Sequence, residues 1–205
     1  MKFIFLGDVH NNIRHCINVA NQNPDATIIQ VGDLGIGSPQ SNQTFWSTAA
    51  ELNKILPANF RFFVGNHDCR TEAKKTPHCL SDYGEAYNRF FFVSGADSID
   101  RASRIEGLSW WADEELSIVQ ANDCLDKWKE SKLNILVSHD CPQSFAEGFM
   151  LIYDKTLTRS LLQEMIDVRK PKMVIFGHHH NTRRLKFNDI DVVGLGVNET
   201  FEIDI

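Results

Sequence analysis

Five apolar runs in this chain stop in the same way, and that repetition limits what the chain can fold into. They are FIFLGDVH (3–10), TIIQVGD (27–33), FRFFVGNHD (60–68), LNILVSHD (133–140) and KMVIFGHHH (172–180). Each begins as a short continuous apolar stretch, the pattern of a strand buried on both faces. Each then reaches Gly or Ser, where the backbone can turn sharply, and Asp, Asn or His follow. One Gly-Asp after a strand is ordinary turn chemistry, but five tips confined to these polar types are not explained that way. Ligands of open α/β sheets bind beyond the carboxyl ends of the strands, so the five tips predict one shared cleft.

Helical periodicity fills the spaces between the runs. Residues 11–23, 113–130 and 156–170 read as helices, the last closed by Pro171. Residues 41–56 read as another, with Phe45, Ala49, Leu52 and Leu56 on one face and Ser41 or Asn42 as N-cap. The stretch 70–108 is irregular apart from RFFFV (89–93), and residues 183–205 read as short antiparallel strands with a turn at Asn188-Asp189. The alternation predicts an α/β fold: a four-layer α/β/β/α sandwich, two mixed sheets with flanking helices. One domain over 1–205 is expected, with 70–108 an irregular insertion shaping the mouth of the cleft.

The formal net charge of −6 argues against nucleic-acid binding by broad phosphate neutralisation. No apolar run approaches a membrane span, and the start MKFIFLGD lacks the features of a secretory signal. The cysteines Cys16, Cys69, Cys79, Cys124 and Cys141 are scattered without a C-x-x-C pair, which fits a reducing, cytoplasmic compartment. A monomer is the default expectation and a dimer the alternative.

The tips also select a metal. Asp8, His10, Asp33, Asn66, His139, His178 and His180 offer imidazole, carboxylate and amide oxygen but no thiolate. That set suits Mn, Fe, Zn, Co or Ni better than Mg or Ca alone. Seven ligands exceed one tetrahedral zinc and match two octahedral ions sharing a bridge. In the run His178-His179-His180, an extended backbone would send His178 and His180 one way and His179 the other.

These motifs resemble those of the calcineurin-like metallophosphoesterase superfamily. Gly7-Asp8-Val9-His10 is similar to G-D-x-H, Gly32-Asp33 to the second G-D, and Gly65-Asn66-His67-Asp68 to G-N-H-D/E. His139 falls at the lone histidine and Gly177-His178-His179-His180 at G-H-x-H, all in the family's order. The resemblance implies Asp8, His10 and His180 on one divalent ion, Asn66, His139 and His178 on a second, and Asp33 bridging both. Manganese is the expected metal, and the implied chemistry is attack of a metal-bridging hydroxide on phosphorus. His67 is implied as the general acid and Asp68 as the carboxylate that orients it. GDLGIG lacks the arginine of the protein-phosphatase branch, and SHDCP replaces its His-Gly-Gly. SWWADEEL (109–116) instead resembles a bacterial and bacteriophage branch marked by S-W-W-x-x-E-E-L, although Ser94-Gly95-Ala96 stands where that branch usually has Gly-Gly-Ala. Arg101 and Arg104 are candidate substrate phosphate contacts. Trp110 and Trp111 read as core rather than as a stacking platform. The function this predicts is hydrolysis of phosphomonoesters, whether of a small molecule, a nucleotide or a Ser/Thr phosphoprotein. Phosphodiester hydrolysis on cyclic nucleotides or nucleic-acid ends is the alternative, and a non-catalytic scaffold the third reading.

Overall fold

The apolar runs are strands because they alternate between two different cores. In β1 (Lys2–Leu6), Phe3 and Phe5 face one core while Ile4 and Leu6 face another. The computed structural model describes residues 1–37, 48–80 and 83–205. After β1 come α1 (Ile13–Gln22), β2 (Ala26–Gln30), α2 (Ala49–Ile55), β3 (Phe60–Phe62) and α3 (Arg70–Ala73). Then follow β4 (Gly84–Tyr87), β5 (Phe90–Val93), α4 (Ile118–Glu130), β6 (Ile135–Ser138), α5 (Gln143–Phe145) and α6 (Leu157–Val168). The chain closes with β7 (Met173–Phe176), β8 (Arg183–Phe187), β9 (Ile190–Gly194) and β10 (Thr200–Asp204).

One sheet has the order β10-β1-β2-β3 and the other β4-β5-β6-β7-β9-β8. Both are mixed. β1, β2 and β3 run parallel, as do β5, β6, β7 and β9, while β10, β4 and β8 are antiparallel to their neighbours. Between the sheets lies an aromatic core in which Phe90 meets Phe3 and Phe5 edge-on at 4.8 and 5.0 Å. On the outer face of the four-stranded sheet, Cys16 and Val19 of α1 and Leu52 of α2 pack on Ile4, Leu6 and Ile28. On the other sheet's outer face, Trp128 of α4 and Leu162 and Met165 of α6 pack on Phe91, Leu136 and Val174. The expected four layers are therefore present.

Three local expectations change. The stretch 70–108 carries β4 and β5, and Phe90 and Phe92 fill the inter-sheet core, so this segment builds the sheet as well as the mouth. Within the described residues, the helix expected over 41–56 is α2, with Thr48 as its N-cap. That side chain and Glu51 form a reciprocal capping box that fixes the helix start. Phe45, Ser41 and Asn42 lie outside the described residues. The tail strands divide between sheets: β8 and β9 form the predicted hairpin, with Asn188 and Asp189 both at positive φ, whereas β10 crosses to pair with β1. Among the described residues, no helix is long and apolar enough to cross a membrane.

Candidate metal centre

Parallel pairing brings the carboxyl ends of β1, β2 and β3 together in one sheet and of β6 and β7 in the other. The residues beyond them then have to leave strand geometry to meet. His10, Asp33, His178 and His180 all have φ between 44° and 62°, a left-handed backbone that non-glycine residues rarely adopt. Such strain gathers where a site dictates side-chain direction. It also replaces the extended-strand argument for the three histidines. The chain curls at His178 and His180, which turn toward the carboxylates, while His179 Nε2 meets Asp140 Oδ1 at 2.9 Å.

Three groups of potential metal-ligand atoms result among the described residues, one of them Asp140, Cys141 and His179, and the other two share a carboxylate. Asp8, His10, Asp33 and His180 form one, and Asp33, His139 and His178 the other, with Asp33 common to both. In the first, Asp8 Oδ1 accepts the His178 backbone N–H at 3.0 Å, while buried Asp8 Oδ2 faces only histidine ring nitrogens among the described residues. That oxygen lies 3.1 Å from His180 Nε2 and 4.0 Å from His10 Nε2, and the two histidine nitrogens are 2.8 Å apart. In the second, Asn66 Oδ1 is 3.0 Å from His139 Nε2 and 3.1 Å from His178 Nδ1.

The chemistry of these donors fits cations. His139 Nδ1 lies 2.8 Å from the Val31 carbonyl, which only accepts, so Nδ1 carries the proton. Its Nε2 then faces Asn66 Oδ1 at 3.0 Å and Asp33 Oδ1 at 3.2 Å. Two oxygen acceptors thus meet that nitrogen, an arrangement that either a proton on Nε2 or a metal ion satisfies. Burial opposes charge on both His139 and Asp33, yet their mutual attraction outweighs it, raising the histidine and lowering the carboxyl. Burial pushes His178 down to about 3, leaving the neutral ring that ligation requires. His180 is raised by its contact with Asp8, and His10 is lowered by burial.

The glycine before Asn66 has a steric reason. A Cβ on Gly65 would collide with Asp33 Oδ1 and stand 2.7 Å from His139 Nε2. No larger residue permits the approach of Asn66 to the ligands of the neighbouring strands.

His67 stands beside the two groups. Its backbone N–H donates to Asp33 Oδ1 at 2.8 Å, and its Nε2 is 3.9 Å from Asp33 Oδ2. The expected pairing of its ring with Asp68 is not what the carboxylate does. Asp68 Oδ2 accepts the N–H groups of Asp33, Leu34 and Gly65, and Oδ1 those of Gly35 and Ile36. Buried and surrounded by donors, Asp68 braces the loop that carries Asp33. Asp68→Asn would set an amide N–H₂ against backbone donors and should cost about 2 kcal/mol or more, read as a lower denaturation midpoint. An unchanged midpoint would contradict the bracing role.

The partner of the His67 ring is Arg104. Its guanidinium lies 2.8 Å from Nδ1 and 3.0 Å from Nε2, and Asp100 holds it from behind at 2.7 and 2.9 Å. Arg101 lines the same cleft and pairs with Asp97 at 2.6 Å. The cleft has a volume of about 560 Å³ and is lined by residues 97–101 with Arg104 from one segment and by Ile152, residues 154–156 and Arg159 from another. That second wall was not anticipated, since its residues follow no strand tip. Asp140, which continues the fourth tip, meets His179 on one oxygen and Arg159 Nε on the other at 2.9 Å, tying the wall to the centre. Trp111 is buried and Trp110 half-buried, and neither lines the cleft.

Comparison with known proteins agrees with this architecture. A Staphylococcus aureus protein provisionally described as a 5′-nucleotidase shares the fold, with a TM-score of 0.59 and 15% identity over 98% of this chain. The chain spans half the length of that protein. GAP50 of Plasmodium, described as an anchor in the inner membrane complex, superposes with a TM-score of 0.52 and 10% identity over 96% of this chain and 71% of its own. A hypothetical protein of Thermus thermophilus gives 0.50 and 12% over 96% and 75%. No curated protein matches the sequence. Residues 1–182, from before the first strand tip to beyond the last, match the model of the calcineurin-like phosphoesterases, and the chain belongs to that family.

Proposed function

We propose that the protein is a dinuclear-metal phosphomonoesterase. The observation that carries this reading is the pair of potential ligand groups sharing Asp33, in which buried carboxylate and amide oxygens of Asp8, Asp33 and Asn66 converge with the ring nitrogens of four histidines. Asp8, His10 and His180 would hold one divalent ion, Asn66, His139 and His178 the other, and Asp33 both. Manganese fits the mixed imidazole and oxygen donors, with Fe, Zn, Co or Ni as alternatives. When bound, such ions supply an acidified water and neutralise charge on phosphoryl oxygens.

The protein's own groups do the rest. His67 borders both the ligand groups and the cleft, where its ring can pass a proton to a departing alkoxide. Arg104, held by Asp100, fixes the ring and adds positive charge beside the phosphoryl position. Arg101 would meet the substrate farther out, and Asp68 keeps the Asp33 loop in register from beneath. An open cleft with two polar walls admits a nucleotide or a phosphorylated side chain.

The test is turnover of an aryl phosphomonoester beside its matched diester, with Mn, Ni, Co, Zn and Mg added separately to metal-free protein. Faster monoester cleavage, abolished by chelation and restored by Mn, is the expected result. Diester preference would move the assignment to cyclic nucleotides or nucleic-acid ends. No turnover with two ions bound would leave the scaffold reading.

A further inference from the structure

An asparagine can serve a cation only through its amide oxygen, and nothing in Asn66 itself decides which end of the amide turns inward. Its surroundings do. Asn66 Nδ2 donates to Ser98 Oγ at 3.0 Å. Ser98 in turn gives its hydroxyl proton to Glu114 Oε2 at 2.6 Å and its backbone N–H to Glu114 Oε1 at 2.8 Å. Asn66, Ser98 and Glu114 are 2%, 2% and 4% exposed, so solvent does not stand in for any member.

This chain of bonds has a direction. Burial raises the Glu114 carboxyl while its two bonds from Ser98 lower it; as the carboxylate it accepts and never donates, so the Ser98 O–H points toward Glu114. The hydroxyl then offers Asn66 only a lone pair. The amide must answer with its N–H₂ and keep its oxygen on the far side, toward His139 and His178. We propose that Glu114, acting through Ser98, is a positioning residue that orients the Asn66 carbonyl toward the second cation position. The inference rests on the dinuclear reading given above. It also supplies a physical role for the two adjacent glutamates of SWWADEEL: Glu114 orients a ligand, and Glu115 accepts the Thr158 N–H and hydroxyl, both at 2.9 Å, to hold the start of α6.

The test is titration of metal-free protein with Mn, resolving the two binding events by calorimetry and counting free Mn by electron paramagnetic resonance. Glu114→Gln keeps the side-chain volume but places a donor against Ser98, which frees the hydroxyl to donate to Asn66 and invert the amide. Second-ion affinity should fall about 10–100-fold, as for other partners that orient metal ligands, while the first ion and the melting temperature hold. Asn66→Asp has an oxygen at either end, so it should restore the second ion in the Glu114→Gln background. In the Glu114 background it should bind worse, because Ser98 cannot donate to two carboxylates at once. Ser98→Ala removes the link and should reproduce the selective loss, which keeps the question answerable if Glu114→Gln does not fold. Wild-type protein binding two ions beside a Glu114→Gln protein that binds both equally well would overturn the relay alone. Equal loss of both ions with a fall in melting temperature would make Glu114 merely structural. Wild-type protein that binds no second ion would overturn the dinuclear reading, and the relay with it.

Discussion

Asp33→Asn should lower turnover of every phosphoester substrate by about 10³-fold, the rate equivalent of about 4 kcal/mol of lost transition-state stabilisation. Asp33 is the one carboxylate common to both ligand groups and is 1% exposed. Its Oδ1 lies 3.2 Å from His139 Nε2 and accepts the His67 N–H at 2.8 Å. The amide has the same size, so packing survives. However, it removes the carboxylate charge that the proposed bridge requires and directs an N–H₂ toward the His139 ring nitrogen. Elemental analysis should show fewer than two ions per chain alongside the kinetic loss. Full turnover with both ions retained would remove the bridging role.

His67→Ala should separate acid catalysis from metal binding. His67 belongs to neither ligand group, so the variant should keep its full metal content. With an alkyl phosphate, whose alkoxide needs a proton to leave, kcat should fall about 10²–10⁴-fold. An aryl phosphate leaves as a stabilised phenolate, so its loss should be much smaller. Equal losses for both substrates would argue against proton donation, and loss of metal would make His67 structural. Arg104 lies against the same ring, so Arg104→Ala would be expected to act in the same direction through misplacement of His67.

The fold was legible because its signals are local. Phe3, Ile4, Phe5 and Leu6 face two cores within one strand, so a continuous apolar run reports a doubly covered sheet wherever it occurs. The residues that converge beyond the tips were legible for the same reason, since each follows its own strand directly. What the sequence hid is non-local. The five donors around Asp68 come from Gly65 and the loop after β2, and only the folded chain brings that loop over the carboxylate. Nothing near His67 in sequence announces Arg104, 37 residues away. The second cleft wall had no tip to mark it: Lys155 precedes, and Arg159 lies within, a segment read only as a helix. The left-handed backbone at His178 and His180 was equally hidden, because histidine carries no preference that would foretell it. His178 and His180 come beside Asp33 and Asp8 through a curled backbone rather than through extended alternation. Glu114 had a visible signature in SWWADEEL, but its purpose depends on Ser98 lying between it and Asn66.

The claim on which the rest depends is that Asp33 joins two cations. The most direct measurement is electron paramagnetic resonance of the wild-type protein loaded with Mn, at a stoichiometry fixed by elemental analysis. Two Mn per chain with the spectrum of a spin-coupled pair is the result predicted here. One Mn per chain, or two ions with the spectra of isolated Mn, would contradict it.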